Sequence, residues 1–486
     1  MLFNSYAFIF VFFPVVAALY FTIKAAERNA SSKFSHWWLV AASLFFYGFW
    51  DYRYLALIIA SILGNYIAGK FLRNQDNKLR QRSVLVIGIA TNLLLLGYFK
   101  YANFFLENVG ILLGSEISIG EIALPLAISF FTFQQIAFLI DSASGKRGDC
   151  HFSDYCLFVS FFPQLIAGPI VHHGEMMPQF ERTQFEQSDE GVKWDLMAKG
   201  LFVFCLGLFK KVTLADSLAT WVSPGFAAPE NLTFIDSWLV TMSYSLQLYF
   251  DFGGYSDMAI GSAMMLGIVL PWNFKSPYKA LTIQEFWRRW HITLSRFLRD
   301  YLYIPLGGSR AGESRIAFNL FLTFLLGGIW HGAGWTFVIW GTLHGIACVL
   351  HRMWSRRGFS LGKIPAAIVM LFFLNITWIF FRAPDVASAI EMVKAIFGFN
   401  GLVVPDQIAS VLPWLPVGEL LDGFTKSSDC PLWVLAGGLV VLFAPSSFEL
   451  SERFRPSVAS AIFTLVLFIV SFFHLNRVSE FLYFQF

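Results

Sequence analysis

Two histidines are the residues of this chain best placed to do chemistry. His331 ends an apolar, glycine-rich run, Gly328-Ile329-Trp330-His331-Gly332-Ala333-Gly334-Trp335. His291 stands 40 residues upstream, in Phe286-Trp287-Arg288-Arg289-Trp290-His291. The sequence around both reads as membrane, where ionisable groups are costly and tend to be kept for a task. His331 lies 16 residues beyond the basic Arg315, or about 24 Å along a continuous helix. An imidazole at that depth could act as a general base, because it titrates near working pH. A plain helix–helix hydrogen bond is the simpler alternative. His344 follows 13 residues later. It need not share a face with His331 and reads as supporting or structural.

Residues 284–301 read as one amphipathic helix. Phe286, Trp287, Trp290, Leu294, Phe297, Leu298 and Tyr301 recur at a spacing near 3.6, with Glu285, Arg288, Arg289, Arg296, Arg299 and Asp300 on the other side. His291 falls on the inward face. Two readings stay open. The helix lies on anionic lipid with His291 as a satisfied core group, or it walls a cavity whose arginines draw an anionic substrate. The run from Tyr249 to Asp257 sets Asp251 and Asp257 beside Gly253 and Gly254 in apolar surroundings. The two carboxylates either line a cavity or tie down a broken helix by accepting backbone N–H bonds. Phe162-Pro163-Gln164-Leu165-Ile166-Ala167-Gly168-Pro169 reads as a second break. His172 and His173 follow it, and adjacent histidines point to different sides of a helix, so they make poor joint metal ligands. No metal site is expected.

The elements that must hold these groups are transmembrane helices. Of 486 residues, 56% are hydrophobic and 14% charged, Phe occurs 56 times, and the mean hydropathy is +0.60. Soluble proteins carry about 25% charged residues. An all-α polytopic protein of about 10 to 13 crossings follows from the apolar runs, with re-entrant and interfacial helices between them, as one domain over 1–486. Its location is the lipid bilayer, with no support for nucleic-acid binding. Five scattered cysteines without a CxxC pair argue against a disulfide framework or zinc knuckle, and Cys205 and Cys348 read as packing residues. The first apolar run, with no basic residue before Lys24, reads as a retained helix. The positive-inside rule puts Lys24, Arg28 and Lys33, then Lys70–Arg82, Lys146 and Arg147, Arg288–Arg315 and Arg352–Lys363 in the cytoplasm. The acidic loop 384–431 goes outside, as a partner surface or a plain connector.

Taken together, these strings resemble the membrane-bound O-acyltransferase family, in particular its bacterial alginate O-acetylase-like branch. The likeness runs from Met1-Leu2-Phe3-Asn4-Ser5-Tyr6, through Phe162–Pro169 and Tyr249–Asp257, to Phe286–His291 with Arg299-Asp300-Tyr301-Leu302-Tyr303-Ile304-Pro305-Leu306-Gly307-Gly308. Trp330-His331-Gly332-Ala333 and the terminal Phe481–Phe486 complete it. The resemblance implies a helical funnel with His331 as the essential catalytic histidine and His291 as its partner. Trp330, Trp287, Arg288, Arg289, Asp251 and Asp257 are candidate donor-binding or tunnel residues. It also implies that no cofactor is bound, that acetyl-CoA is the acyl donor, and that acetyl groups leave across the inner membrane. They would go to a periplasmic acetyltransferase or carrier protein and thence to a polysaccharide acceptor, alginate by preference, with cellulose and peptidoglycan open. In that reading His331 deprotonates the acceptor hydroxyl and His291 positions or polarises the donor carbonyl. Covalent transfer through His331 is the mechanistic rival. A transporter with broken helices and a structural subunit are the competing classes. The first predicts an internal repeat, which the sequence lacks, and the second predicts that both histidines tolerate replacement.

Overall fold

The computed structural model describes residues 1–27, 33–120, 122–145, 150–181, 192–310, 312–402, 429–475 and 482. Arg28, Lys146 and Arg147, most of the acidic loop and nearly all of the terminal Phe481–Phe486 string lie outside the described residues. The protein is 78% helical with no strand among the described residues.

The described chain forms two compact units. The first comprises Met1–Leu206, Tyr255–Trp272 and Phe454–Leu467. Its core is aromatic: Phe3, Phe8, Phe46 and Phe162 are fully buried and stack or meet edge-on. Several polar groups inside this unit are paired. Asp154 is held by Lys33 and by His36 Nδ1 at 2.8 Å. Asn65 and Asn92 exchange amide hydrogen bonds between neighbouring helices, at 2.7 and 3.3 Å. The break expected at Phe162–Pro169 is present as a four-residue helix, Phe162–Leu165, followed by a turn.

The second unit comprises Gly207–Gly254, Asn273–Arg453 and Phe468–Phe486, and it carries both histidines. Its elements are α1 (Phe234–Met265), whose first part belongs to this unit, α2 (Ile283–Arg289), α3 (Ile292–Leu298), α4 (Glu313–His331), α5 (Trp335–Arg356) and α6 (Lys363–Arg382). Two expectations are corrected here. α1 runs unbroken through Gly253 and Gly254. The glycine serves close approach instead: a Cβ on Gly254 would meet the Gly207 carbonyl oxygen at 2.7 Å. The helix expected over 284–301 is instead split at Trp290–His291 into α2 and α3, and a π-helical turn, Arg299–Tyr303, follows.

Among the described residues, four helices are long and apolar enough to span a bilayer alone: Ala7–Ala26, Tyr52–Arg73, Lys78–Leu113 and Lys363–Arg382, with a fifth if the bent pair Cys430–Phe443 and Ser447–Arg453 counts as one. The other expected crossings fall on shorter, broken or more polar helices. Some of these are packed by protein and so need less apolar sequence. Ile128–Ala143, for example, has 14 buried residues, among them Thr132, Gln134, Gln135 and Asp141.

Candidate active site

The position of His331 follows from glycine. α4 and α5 cross where a Cβ on Gly328 would lie 2.5 Å from the Phe337 carbonyl oxygen and 2.8 Å from the Gly341 Cα. Only glycine permits that approach. It brings the end of α4 against Trp340 on α5, so His331 is boxed by rings. Their centroids lie at 5.0 Å for Trp330, 5.1 Å for Trp340, 5.2 Å for Phe381 and 6.4 Å for His291. His331 is 7% exposed and His291 is fully enclosed. The two histidines named from sequence therefore share one aromatic chamber.

The loop before α2 places His291. Thr282 caps α2 by accepting the Glu285 N–H, and the Glu285 carboxylate accepts the Leu281 N–H, a reciprocal arrangement that fixes a helix start. Residues 273–275 then substitute for the helical bonds missing at the break. Lys275 N–H donates to the Arg289 carbonyl at 2.9 Å, and Ile292 N–H donates to the Asn273 carbonyl at 3.0 Å. His291 takes up a left-handed backbone at φ +42°. This is why its helix breaks: a histidine in that conformation cannot continue a right-handed helix, and it costs about 1–3 kcal/mol to hold. Phe252 packs edge-on against the His291 ring at 4.8 Å.

A second space adjoins this chamber within the same unit. A cavity of about 670 Å³ is lined by Arg288, Arg296, Arg299, Arg352 and Arg356, with Trp287 as part of its wall. The two basic clusters read separately in the sequence, 288–299 and 352–356, meet on this one space. Arg352 and Arg356 pair with Glu313, and Arg299 pairs with Asp300. Arg288 is exposed and has no carboxylate partner among the described residues. Trp287 lines the cavity and touches Trp340, which packs on His331. The Trp287 ring contacts Trp340 at 5.9 Å and His344 at 5.2 Å, and its indole N–H donates to His344 Nδ1 at 3.3 Å. Such a cavity suits a ligand bearing several phosphates, since arginine forks match phosphate oxygens.

The remaining candidates are placed elsewhere. Arg289 does not line the cavity; it is held by Glu285 at 2.7 Å and donates to the Lys275 carbonyl. Asp251 is not a cavity group either. It pairs with Lys211 at 2.6 Å and accepts the Leu482 N–H at 3.1 Å. Lys211 also pairs with Asp216 at 2.7 Å, and all three side chains are buried. Asp257 is buried in the first unit. His344, fully buried, is linked to His331 through Trp340, whose ring lies 4.6 Å from it. Asn273, Trp340 and Phe381 were not singled out from the sequence. Asn273 carried one signal, an amide in the otherwise apolar Pro271-Trp272-Asn273-Phe274 outside any helical period.

Comparison with known proteins places the chain in a family. Residues 82–381 match the membrane-bound O-acyltransferase family. The chain is 48% identical to a peptidoglycan O-acetyltransferase of Helicobacter pylori, over 83% of this chain and 81% of that protein. It is 35% identical to the probable alginate O-acetylase AlgI of Azotobacter vinelandii over the full length of both. It is 26% identical to a teichoic acid D-alanyltransferase of Bacillus subtilis over 50% of this chain and 62% of that protein. The chain is thus an acyltransferase, and it belongs to the membrane-bound O-acyltransferase family.

Proposed function

We propose that this protein carries acetyl groups from acetyl-CoA, on the cytosolic side of the inner membrane, toward an extracytoplasmic polysaccharide. The observation that carries the reading is the sharing of one chamber by His291 and His331 beside a five-arginine cavity. Acetyl-CoA carries a pyrophosphate and a further phosphate on its ribose, the kind of charge such a cavity attracts. Its thioester would reach toward His331 from the side of the cavity that Trp287 lines. His331 takes the proton of the acceptor hydroxyl as that oxygen attacks the thioester carbonyl. The C–S bond breaks, and the proton returns to the departing thiolate. The acceptor hydroxyl belongs to a periplasmic transferase or carrier that passes the acetyl group on.

Peptidoglycan is the acceptor polymer the similarity favours, at 48% identity against 35% for the alginate relative. Alginate is the second reading, supported by a match that covers both chains from end to end. The test compares cells carrying wild type or His331→Ala at equal membrane protein level. O-acetyl content is measured separately in purified peptidoglycan and in secreted polymer. Loss from peptidoglycan alone supports the first reading, and loss from the secreted polymer alone supports the second. No loss from either removes the protein from both pathways.

A further inference from the structure

We infer that Asn273 fixes the tautomer of His291, holding the ring proton on Nδ1 so that Nε2 carries the lone pair. The tautomer follows from geometry alone; its consequence for catalysis rests on the acyl-transfer reading.

Asn273 is completely buried in the loop between α1 and α2. Its Oδ1 lies 3.3 Å from Thr293 N, 3.0 Å from Thr293 Oγ1 and 3.2 Å from His291 Nδ1. A backbone N–H can only donate. The amide atom facing Thr293 must therefore be oxygen, because a flipped amide would set NH₂ against N–H. The same oxygen faces the imidazole. Two lone pairs at that distance repel, so His291 meets it with an N–H. A neutral imidazole carries one proton, and with that proton on Nδ1 its lone pair sits on Nε2. The main chain prevents escape from this arrangement. The Asn273 carbonyl accepts the Ile292 N–H, and His291 is held left-handed at φ +42°, ψ +52°. A costly backbone conformation persists only where its surroundings over-determine it.

His344 shows the opposite case in the same unit. The Trp287 indole N–H, which can only donate, points at His344 Nδ1. The proton of a neutral His344 is therefore on Nε2, an atom without a partner among the described residues. The two rings flank the chamber with their protons on different nitrogens.

The consequence is a change of role for His291. With its lone pair on Nε2, the neutral ring accepts hydrogen bonds and protons and cannot donate from that atom to a thioester carbonyl. On this tautomer His291 does not polarise the carbonyl, one of the two roles the sequence reading allowed it. It stands with His331 on the path of the proton that leaves the acceptor hydroxyl, and the hydrogen bond to the carbonyl oxygen must come from another group. Asn273 is thus a positioning residue.

The test uses the full-length protein, uniformly ¹⁵N-labelled at histidine and reconstituted in lipid. The His291 ring signals are assigned by their absence in His291→Gln. Wild type is expected to show a protonated Nδ1 and an unprotonated Nε2. Asn273→Asp keeps the acceptor and is expected to keep that pattern. Asn273→Leu removes it and is expected to lose the pattern and about 100-fold in kcat, with donor KM unchanged. A wild-type Nε2–H overturns the inference, as does a pattern unmoved by Asn273→Leu. If Asn273→Leu does not fold, the wild-type and Asn273→Asp spectra decide alone. A protonated Nδ1 in a protein that transfers no acetyl group would leave the tautomer standing and remove the functional reading.

Discussion

The histidine chamber and the arginine cavity adjoin each other within one unit and are built on opposite principles. Rings and one amide line the chamber, and its histidines are almost wholly shut from solvent. Five guanidinium groups line the cavity, and three of them are already in ion pairs with Glu313 or Asp300. A charge is cheap where water screens it and expensive where it does not. On the proposed function, binding charge falls in one space and proton transfer in the other, with Trp287 on the wall of the first. The difference teaches where to look for each kinetic signature: losses in turnover from the chamber, losses in donor affinity from the cavity.

That division can be broken at several strengths. His331→Ala should have the largest effect, lowering acetyl transfer by about 10²- to 10⁴-fold, the usual contribution of a general base, with donor binding intact by equilibrium dialysis. Trp287→Ala should join the two spaces. Truncating a buried Trp costs about 3–5 kcal/mol of stability, read as a lower thermal midpoint. Acetyl-CoA hydrolysis should rise relative to transfer as water enters, and an unchanged ratio would show that Trp287 is no partition. Arg288→Ala or Arg296→Ala should raise donor KM by about 10-fold each, the equivalent of one charge-assisted hydrogen bond, and should leave kcat alone. A fall in kcat with KM unmoved would place these arginines in the chemistry and dissolve the contrast. Arg289→Lys should change least. Its half-exposed pair with Glu285 is worth no more than about 1 kcal/mol, and donor KM should stay within two-fold of wild type.

Much of this site was legible in the sequence, because its main carriers are conspicuous. His331 follows two glycines whose purpose, a close helix crossing, is a local matter of size, and the structure finds the crossing at Gly328. Phe286, Trp287, Trp290, Leu294, Phe297 and Leu298 are buried as the spacing requires. The break at His291 was not legible. Helical periodicity survives one left-handed residue, since the side chains on either side still face inward. The cause of the break lies 16 to 18 residues away, in the bonds made by Asn273 and Lys275. The fate of Asp251 was hidden for a similar reason. Its partners, Lys211 and Leu482, are 40 and 231 residues distant. An all-helical membrane class could be read from composition, whereas the number of self-sufficient spans could not. A helix wrapped by other helices tolerates polar residues that lipid would reject, as Gln134 and Gln135 show.

The left-handed joint at His291 also makes this the position where the catalytic machinery is easiest to unplug and plug in again. Glycine is at home at that backbone angle, so His291→Gly relieves the main chain while deleting the ring. The vacated space is the size of an imidazole and is still faced by the Asn273 carbonyl side. Free imidazole, small and neutral enough to partition through the membrane, should restore part of the lost turnover in a saturable way. The bulkier 2-methylimidazole should restore less. The same treatment of His331→Gly should do less still, because nothing at that helix end relaxes when its side chain is removed. A strained hinge thus becomes a chemical socket, and turnover under added imidazole would report how well Asn273 and its neighbours hold their shape when the residue they serve is gone.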